Sequence, residues 1–399
     1  MTASQTRRRL PLQVYLLALV TFALGSGTFI FAGQLEQLAA GLGIQVGTAG
    51  QLQTVYVLSA ALCGPVVISL VARRPAKVVL ASVLGLALVL NLACWISRGF
   101  GSMMMFRAVL GATAAVGGPT AAALAAALVP PEQRGSALAT VIGGMTFAFI
   151  AGIPAGSVVG DLYGWRATFA LAAGLAGVAL VGLSLVKADV AAPSAPEPGA
   201  SSLKTVLTLY PVFATTILMF AASMASSTYV GPILRLQTGI TGAGVGVFQA
   251  LGGIGSLIGL AIGARVANAG HGRAGAAIAL GVTCLVALVS FTELHGGAPP
   301  GAPTYIVIGL AGLAGSGALF AIIPIIQARI VSAAPHATPL ALSFNASSTS
   351  LGQGMGAAIG GAVIGRFGVP SAPIATGVIA LLAMSVWLLL VGPPRTGAA

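Results

Sequence analysis

Arg107 stands alone in an apolar run. From Gly101 to Pro130 the chain reads GSMMMFRAVLGATAAVGGPTAAALAAALVP, with no other charge. A charged group at the centre of a bilayer costs roughly 2.5–3.5 kcal/mol on insertion scales. A chain keeps such a group where it meets a partner or a wet interior, so binding or coupling chemistry is expected around it. Groups that could exchange protons are few. Of the six carboxylates, Glu132, Asp189 and Glu197 fall in loops on one expected side. Asp161 and Glu293 fall near the other, and Glu36 lies at the end of the first apolar run. His271, His295 and His336 all map to loops. There is no phosphate loop, no histidine–cysteine metal spacing and no serine–histidine–acid set. The residues therefore give no enzyme signature and call for no cofactor.

The elements that must position Arg107 follow from composition. The 399 residues are 57% hydrophobic and 6% charged, with mean hydropathy +1.02. A soluble domain could not cover its surface with so few charges. A membrane span needs about 20 mainly apolar residues. Twelve such spans are expected, near 11–34, 48–71, 77–97, 102–129, 135–159, 166–187, 206–229, 242–265, 273–292, 303–328, 338–363 and 371–392. Cys63, Cys94 and Cys284 fall inside them, far apart in sequence. They read as small core residues without a disulfide framework. The N-terminal Arg7-Arg8-Arg9 followed by a long apolar run reads as an uncleaved first span rather than a signal peptide.

The net charge of +12 does not point to nucleic acid, because the cations are dispersed along the loops. One topology places Arg7, Arg8, Arg9, Arg73, Arg74, Lys77, Arg134, Lys187, Lys204, Arg265, Arg273, Arg329 and Arg395 on one side. Only Arg98, Arg166, Arg235 and Arg366 fall on the other. By the positive-inside rule the richer side is the cytoplasm, and both termini lie there.

Polar side chains within spans need partners or water. Gln53 and Tyr56 share one helix face. Tyr229, Gln249, Gln327, Asn345 and Gln353 add polar groups in the second half, and Met145 with Phe149 could supply an apolar wall. Such a mixture suits a small, moderately polar or amphipathic solute. Interhelical hydrogen bonding is the alternative use of these residues. The run SFNASSTS, Ser343 to Ser350, could bind sugar hydroxyls or simply back-bond within its helix.

Residues 188–204, ADVAAPSAPEPGASSLK, break the apolar pattern and read as a flexible linker. They divide the chain into an N-terminal six-helix bundle (1–187), a cytoplasmic linker (188–205) and a C-terminal six-helix bundle (206–399). The halves resemble each other. Gly152, Gly156 and Gly164 align with Gly356, Gly360 and Gly368 at one offset, and Gly33 and Gly41 align with Gly231 and Gly239 at another. Such symmetry suggests two parallel repeats with a site between them near the midplane.

At four places the chain resembles the major facilitator superfamily, and within it the twelve-helix drug–proton antiporters and sugar-efflux proteins of bacteria. GMTFAFIAGIPAGSVVGDLYGWRATF, Gly144 to Phe169, is similar to the antiporter motif of span 5, carried by Gly152, Pro154 and Gly156. The family's adjacent Gly-Pro is here split by Ile153. FRAVLGA, Phe106 to Ala112, resembles the span 4 motif whose arginine, here Arg107, serves coupling or substrate binding. ISLVARRPAKVVL, Ile68 to Leu80, stands at the family's loop between spans 2 and 3. Only Arg73 and Lys77 match it, so topology anchoring competes with a conformational role. FALGSGTFIFAG, Phe22 to Gly33, resembles span 1 of the sugar-efflux branch, where Thr28 replaces a frequent glutamate.

The resemblance implies an all-α membrane protein with two pseudo-symmetric six-helix bundles. It implies a monomer in a bacterial inner membrane that moves a small molecule by alternating access, with protons and the bilayer as partners. Three readings of coupling remain open. Glu36 or Asp161 takes up a proton and interacts with Arg107; Arg107 binds the solute and coupling is indirect; or the protein is an uncoupled facilitator or uptake permease for sugars or organic acids.

Overall fold

The computed structural model describes residues 10–71, 73–187, 200–296 and 301–391, and among them the regular structure is helical. Within a bilayer only a helix satisfies its own backbone segment by segment, and runs of Ala, Leu, Val and Ile supply the lipid-compatible surface. Ten stretches are long and apolar enough to cross a membrane. They are span 1 (Leu12–Leu42), span 3 (Ala76–Ile96), span 4 (Phe100–Ala127), span 5 (Pro131–Tyr163), span 6 (Arg166–Ser184), span 7 (Tyr210–Ser227), span 8 (Ala243–Asn268), span 9 (Gly272–His295), span 10 (Ala302–Ala333) and span 12 (Val369–Leu390). The helices Gln51–Val71 and Thr338–Phe367 take the second and eleventh places of the expected twelve.

The linker boundary differs from expectation. A helix, Ala200–Leu207, begins inside the segment read as linker. Leu203, Val206 and Leu207 lie on it, and Val206 is fully buried, so this segment docks rather than trails. Asp189, Glu197, Arg7, Arg8, Arg9 and Arg395 lie outside the described residues. Cys63 is exposed rather than a core residue, whereas Cys94 is buried and Cys284 half-buried.

Both halves pack by the same plan. Span 1 packs on spans 5 and 6, span 2 on span 4, and span 3 on spans 4 and 6. Span 7 packs on spans 11 and 12, span 8 on span 10, and span 9 on spans 10 and 12. The register is also shared. The helices Leu12–Phe29 and Tyr210–Ser227 superimpose in sequence by a shift of 198, the shift that takes Gly33 to Gly231. These two glycines meet across the halves: a methyl group on Gly231 would lie 2.9 Å from the Gly33 carbonyl oxygen.

The halves join through span 2 against span 11 and span 5 against span 8. Their polar contacts lie toward the face opposite the two described ends. Arg235 donates to Glu36 at 3.0 Å. The backbone N–H of Ala243 donates to Asp161 at 3.2 Å, and the Ser157 hydroxyl to Gln249 Oε1 at 2.6 Å. The Tyr229 hydroxyl reaches the Gly47 and Ala357 carbonyls at 3.4 and 2.9 Å. Toward the face carrying the ends, Leu62, Val66 and Leu70 of span 2 are exposed. The polar contacts between the halves close one face of the molecule.

Candidate functional site

Span 1 does not run straight. Its helix ends at Phe29, a short 3₁₀ turn spans Ala32–Gln34, and the helix resumes at Leu35. A break of this kind removes the i+4 donors of the last carbonyls. Arg107 replaces them. One guanidinium nitrogen donates to the Gly27 carbonyl at 3.0 Å, the other to the Thr28 carbonyl at 2.7 Å and to Gln53 Oε1 at 3.3 Å. The charge is sandwiched between the rings of Tyr56 and Phe31, 4.3 and 4.9 Å from their centroids. The Thr28 hydroxyl donates to the Tyr56 hydroxyl at 3.1 Å. Arg107 is 0% exposed. Carbonyl dipoles and aromatic faces, not a carboxylate, compensate the cation. Only a small void of about 20 Å³ remains beside this cage, bordered by Tyr56, Asn91 and Thr113.

Span 5 supplies the other wall of the interior. Gly152 and Gly156 let it press on span 1: a methyl group at Gly152 would collide with the Ser26 hydroxyl, and one at Gly156 with the Ile30 carbonyl. Ala148–Gly152 form a π-helical turn just before Pro154. A π turn accommodates one extra residue in a helix, and Ile153 is the residue that splits the Gly-Pro pair here. Phe149 on this turn contacts Phe29 at 5.6 Å and Phe320 at 5.4 Å between ring centroids, joining spans 1, 5 and 10.

These three rings border the main cavity, about 250 Å³ in volume, which lies largely within the second half. Its apolar wall includes Phe248, Met219 and Leu319. Its polar wall includes Ser223, Ser226 and Ser227 near the end of span 7, Ser316 on span 10, Thr376 on span 12, and Gln249 on span 8. Ser226 and Thr376 share a hydrogen bond of 2.6 Å. Gln249 Nε2 is buried without a partner. Among the described residues, no charged side chain lines this cavity. The arrangement can hold a small amphipathic solute and supplies no nucleophile, base or metal ligand.

The expected residues separate into groups. Gln53, Tyr56 and Thr28 converge on Arg107, whereas Phe149 and Gln249 border the cavity. Arg107 itself is walled off from that cavity, contrary to the expectation that its charge faces a wet interior. Met145 packs over Gly25 instead of extending the wall of Phe149. Tyr229 ties the halves together at the closed face. Asn345 accepts from Thr216 at 2.9 Å, and Ser348 and Thr349 back-bond to Phe344 and Asn345. Gln327 is exposed and Gln353 half-buried, both outside the cavity wall. Neither Glu36 nor Asp161 reaches Arg107: each holds a partner across the halves. Lys77 donates to the Ser184 and Val186 carbonyls at 3.0 and 2.7 Å, capping the end of span 6, while Arg73 is exposed.

Sequence reasoning missed the hydroxyl wall. Its visible signal is SMASS, Ser223 to Ser227, at the end of span 7. Those serines were overshadowed by the longer hydroxyl run on span 11.

The family model of the Major Facilitator Superfamily matches residues 16–324. The chain belongs to the major facilitator superfamily. An inner membrane transport protein of Escherichia coli (strain K12), YdhP, is 29% identical over 375 residues, 92% of this chain and 94% of its own. A chloramphenicol resistance protein of Streptomyces lividans is 32% identical over 280 residues, covering 65% of this chain and 67% of its own. Among solved structures, a bacterial homologue of the human lysosomal transporter Spinster, inward-facing and unoccupied, aligns with TM-score 0.77 at 14% identity, over 97% of each chain. A peptide transporter aligns with TM-score 0.77 at 15% identity, over 95% of this chain and 93% of its own. The superfamily transporter described here is thus a multi-pass membrane protein and not an enzyme.

Proposed function

We propose that this transporter exports a small, uncharged, amphipathic solute from a bacterial cell across the inner membrane by alternating access, in exchange for protons. The observation that carries the reading is the uncharged cavity of about 250 Å³ lined by phenylalanines and hydroxyls. Small-molecule sites combine apolar walls with a few placed polar groups in this way. The similarity to a chloramphenicol resistance protein supports export of a drug-like solute. By the positive-inside rule the face opposite these closing contacts lies in the cytoplasm with both termini, and in this reading the cavity loads from inside. The halves 1–187 and 206–399 then rock as two bodies around the Gly33–Gly231 contact, and the protein works as a monomer.

Opening the closed face breaks the Glu36–Arg235 and Asp161–Ala243 contacts. In this reading Glu36 and Asp161 are the groups through which opening of that face is coupled to protons. Everted vesicles carrying the full-length protein test the reading, with chloramphenicol, a monosaccharide and tetraphenylphosphonium added in turn. Chloramphenicol is expected to collapse part of the proton gradient, and the cation is not. Glu36→Gln combined with Asp161→Asn should leave solute flux without proton dependence; intact coupling in that variant would rule out these carboxylates. A second reading, an uncoupled facilitator, is favoured by the lack of any carboxylate on the cavity wall. It predicts chloramphenicol flux with no gradient response in the unmodified protein.

A further inference from the structure

The two halves follow one plan, yet one half holds a buried guanidinium and the other a cavity. The register shows how these correspond. The shift of 198 takes Thr28, whose carbonyl Arg107 holds, to Ser226, which borders the cavity. On the helices that face them, a shift of 205 takes Pro119 of span 4 to Pro324 of span 10 and Arg107 to Gly312. Gly312 and Ala311 both line the cavity, and a methyl group at Gly312 would meet no atom within 4 Å. Where the first half sends an arginine toward the end of its broken helix, the second half sends no side chain. The void is about 20 Å³ in the first half and about 250 Å³ in the second. Unused polar capacity borders both voids, Asn91 Oδ1 beside the smaller and Gln249 Nε2 beside the larger. Gln249 Nε2 is buried without a partner, and buried donors are ordinarily satisfied.

We infer that the solute occupies in the second half the place that the Arg107 side chain fills in the first. It is a neutral molecule whose O–H or N–H groups face Ser226 and Thr376, whose acceptor meets Gln249 Nε2, and whose apolar body lies against Phe149 and Phe320. This rests on the export reading above and adds the position, orientation and donor requirement of the solute.

The test uses full-length protein in everted vesicles with chloramphenicol as the probe. Gly312→Arg is expected to fold, since a methyl group there would meet no atom within 4 Å, and to lose flux at least about tenfold. Should Gly312→Arg not fold, Gly312→Met fills the same space without charge and is expected to lose flux similarly. Ser226→Ala with Thr376→Val is expected to raise the KM for chloramphenicol about tenfold and to change that for its di-O-methyl ether less than about twofold. A folded Gly312→Arg or Gly312→Met protein with normal flux overturns the inference, as does an equal KM change for both probes. No chloramphenicol flux in the unmodified protein overturns the export reading itself, and the inference with it.

Discussion

Replacing Arg107 by methionine keeps most of the side-chain volume and removes every donor. The Gly27 and Thr28 carbonyls, held at 3.0 and 2.7 Å, then face a dry interior at the break in span 1. An unsatisfied buried carbonyl costs about 1–3 kcal/mol, so two cost about 2–6. Removing a cation from membrane depth returns roughly 2.5–3.5 kcal/mol. The net effect on stability is therefore small, between about 1.5 kcal/mol stabilising and about 3.5 kcal/mol destabilising. The effect on transport should be larger, because the break sets where Phe29 and Gly33 sit, one on the cavity and one on the contact between halves. Even about 1.4 kcal/mol of bias between the two open states changes their ratio tenfold. Arg107→Met should therefore reach the membrane near normally and lose flux about tenfold or more. Arg107→Lys separates charge from geometry. An ammonium keeps the charge but cannot hold three acceptors in a plane between two rings, so it should fail nearly as badly. Flux of labelled solute and thermal unfolding in detergent, measured on the same preparations, check both variants. Full transport by Arg107→Lys would refute the geometric role and make the charge itself the requirement.

Other outcomes follow from single contacts. Arg235→Gln removes an exposed pair worth at most about 1 kcal/mol, so it should raise the population open at the closed face no more than about fivefold; fluorescent labels at Gln37 and Thr241 in a cysteine-free background would report it as a longer mean distance. Gly111→Val places a side chain against the Tyr56 carbonyl, with which a methyl group would already collide. Overpacking costs about 1–3 kcal/mol, and a lowered unfolding temperature should show it. Arg73→Gln should leave flux near normal, whereas Lys77→Gln, which uncaps span 6, should lower thermal stability slightly and flux little. A large flux loss in Arg73→Gln, with normal stability, would reinstate a conformational role for that loop.

Much of this protein was legible in its residues because a bilayer demands long apolar helices and penalises charge. The low charge and hydropathy determined a many-span membrane protein. The spacing of Gly152, Pro154 and Gly156 determined that span 5 packs closely on a neighbour. The isolation of Arg107 determined that a buried partner set exists. What those partners are was settled only by tertiary structure. Arg107 finds carbonyls of span 1, nearly 80 residues earlier in the chain, and nothing in local periodicity reports where a helix will break and free its carbonyls. The same holds for Glu36 and Arg235, which pair across the halves although neither sequence context names the other. The cavity was the least legible feature. It arises where Gly312 sends no side chain toward Ser226 and Thr376, and an empty space is a property of three helices packed together, not of any one segment.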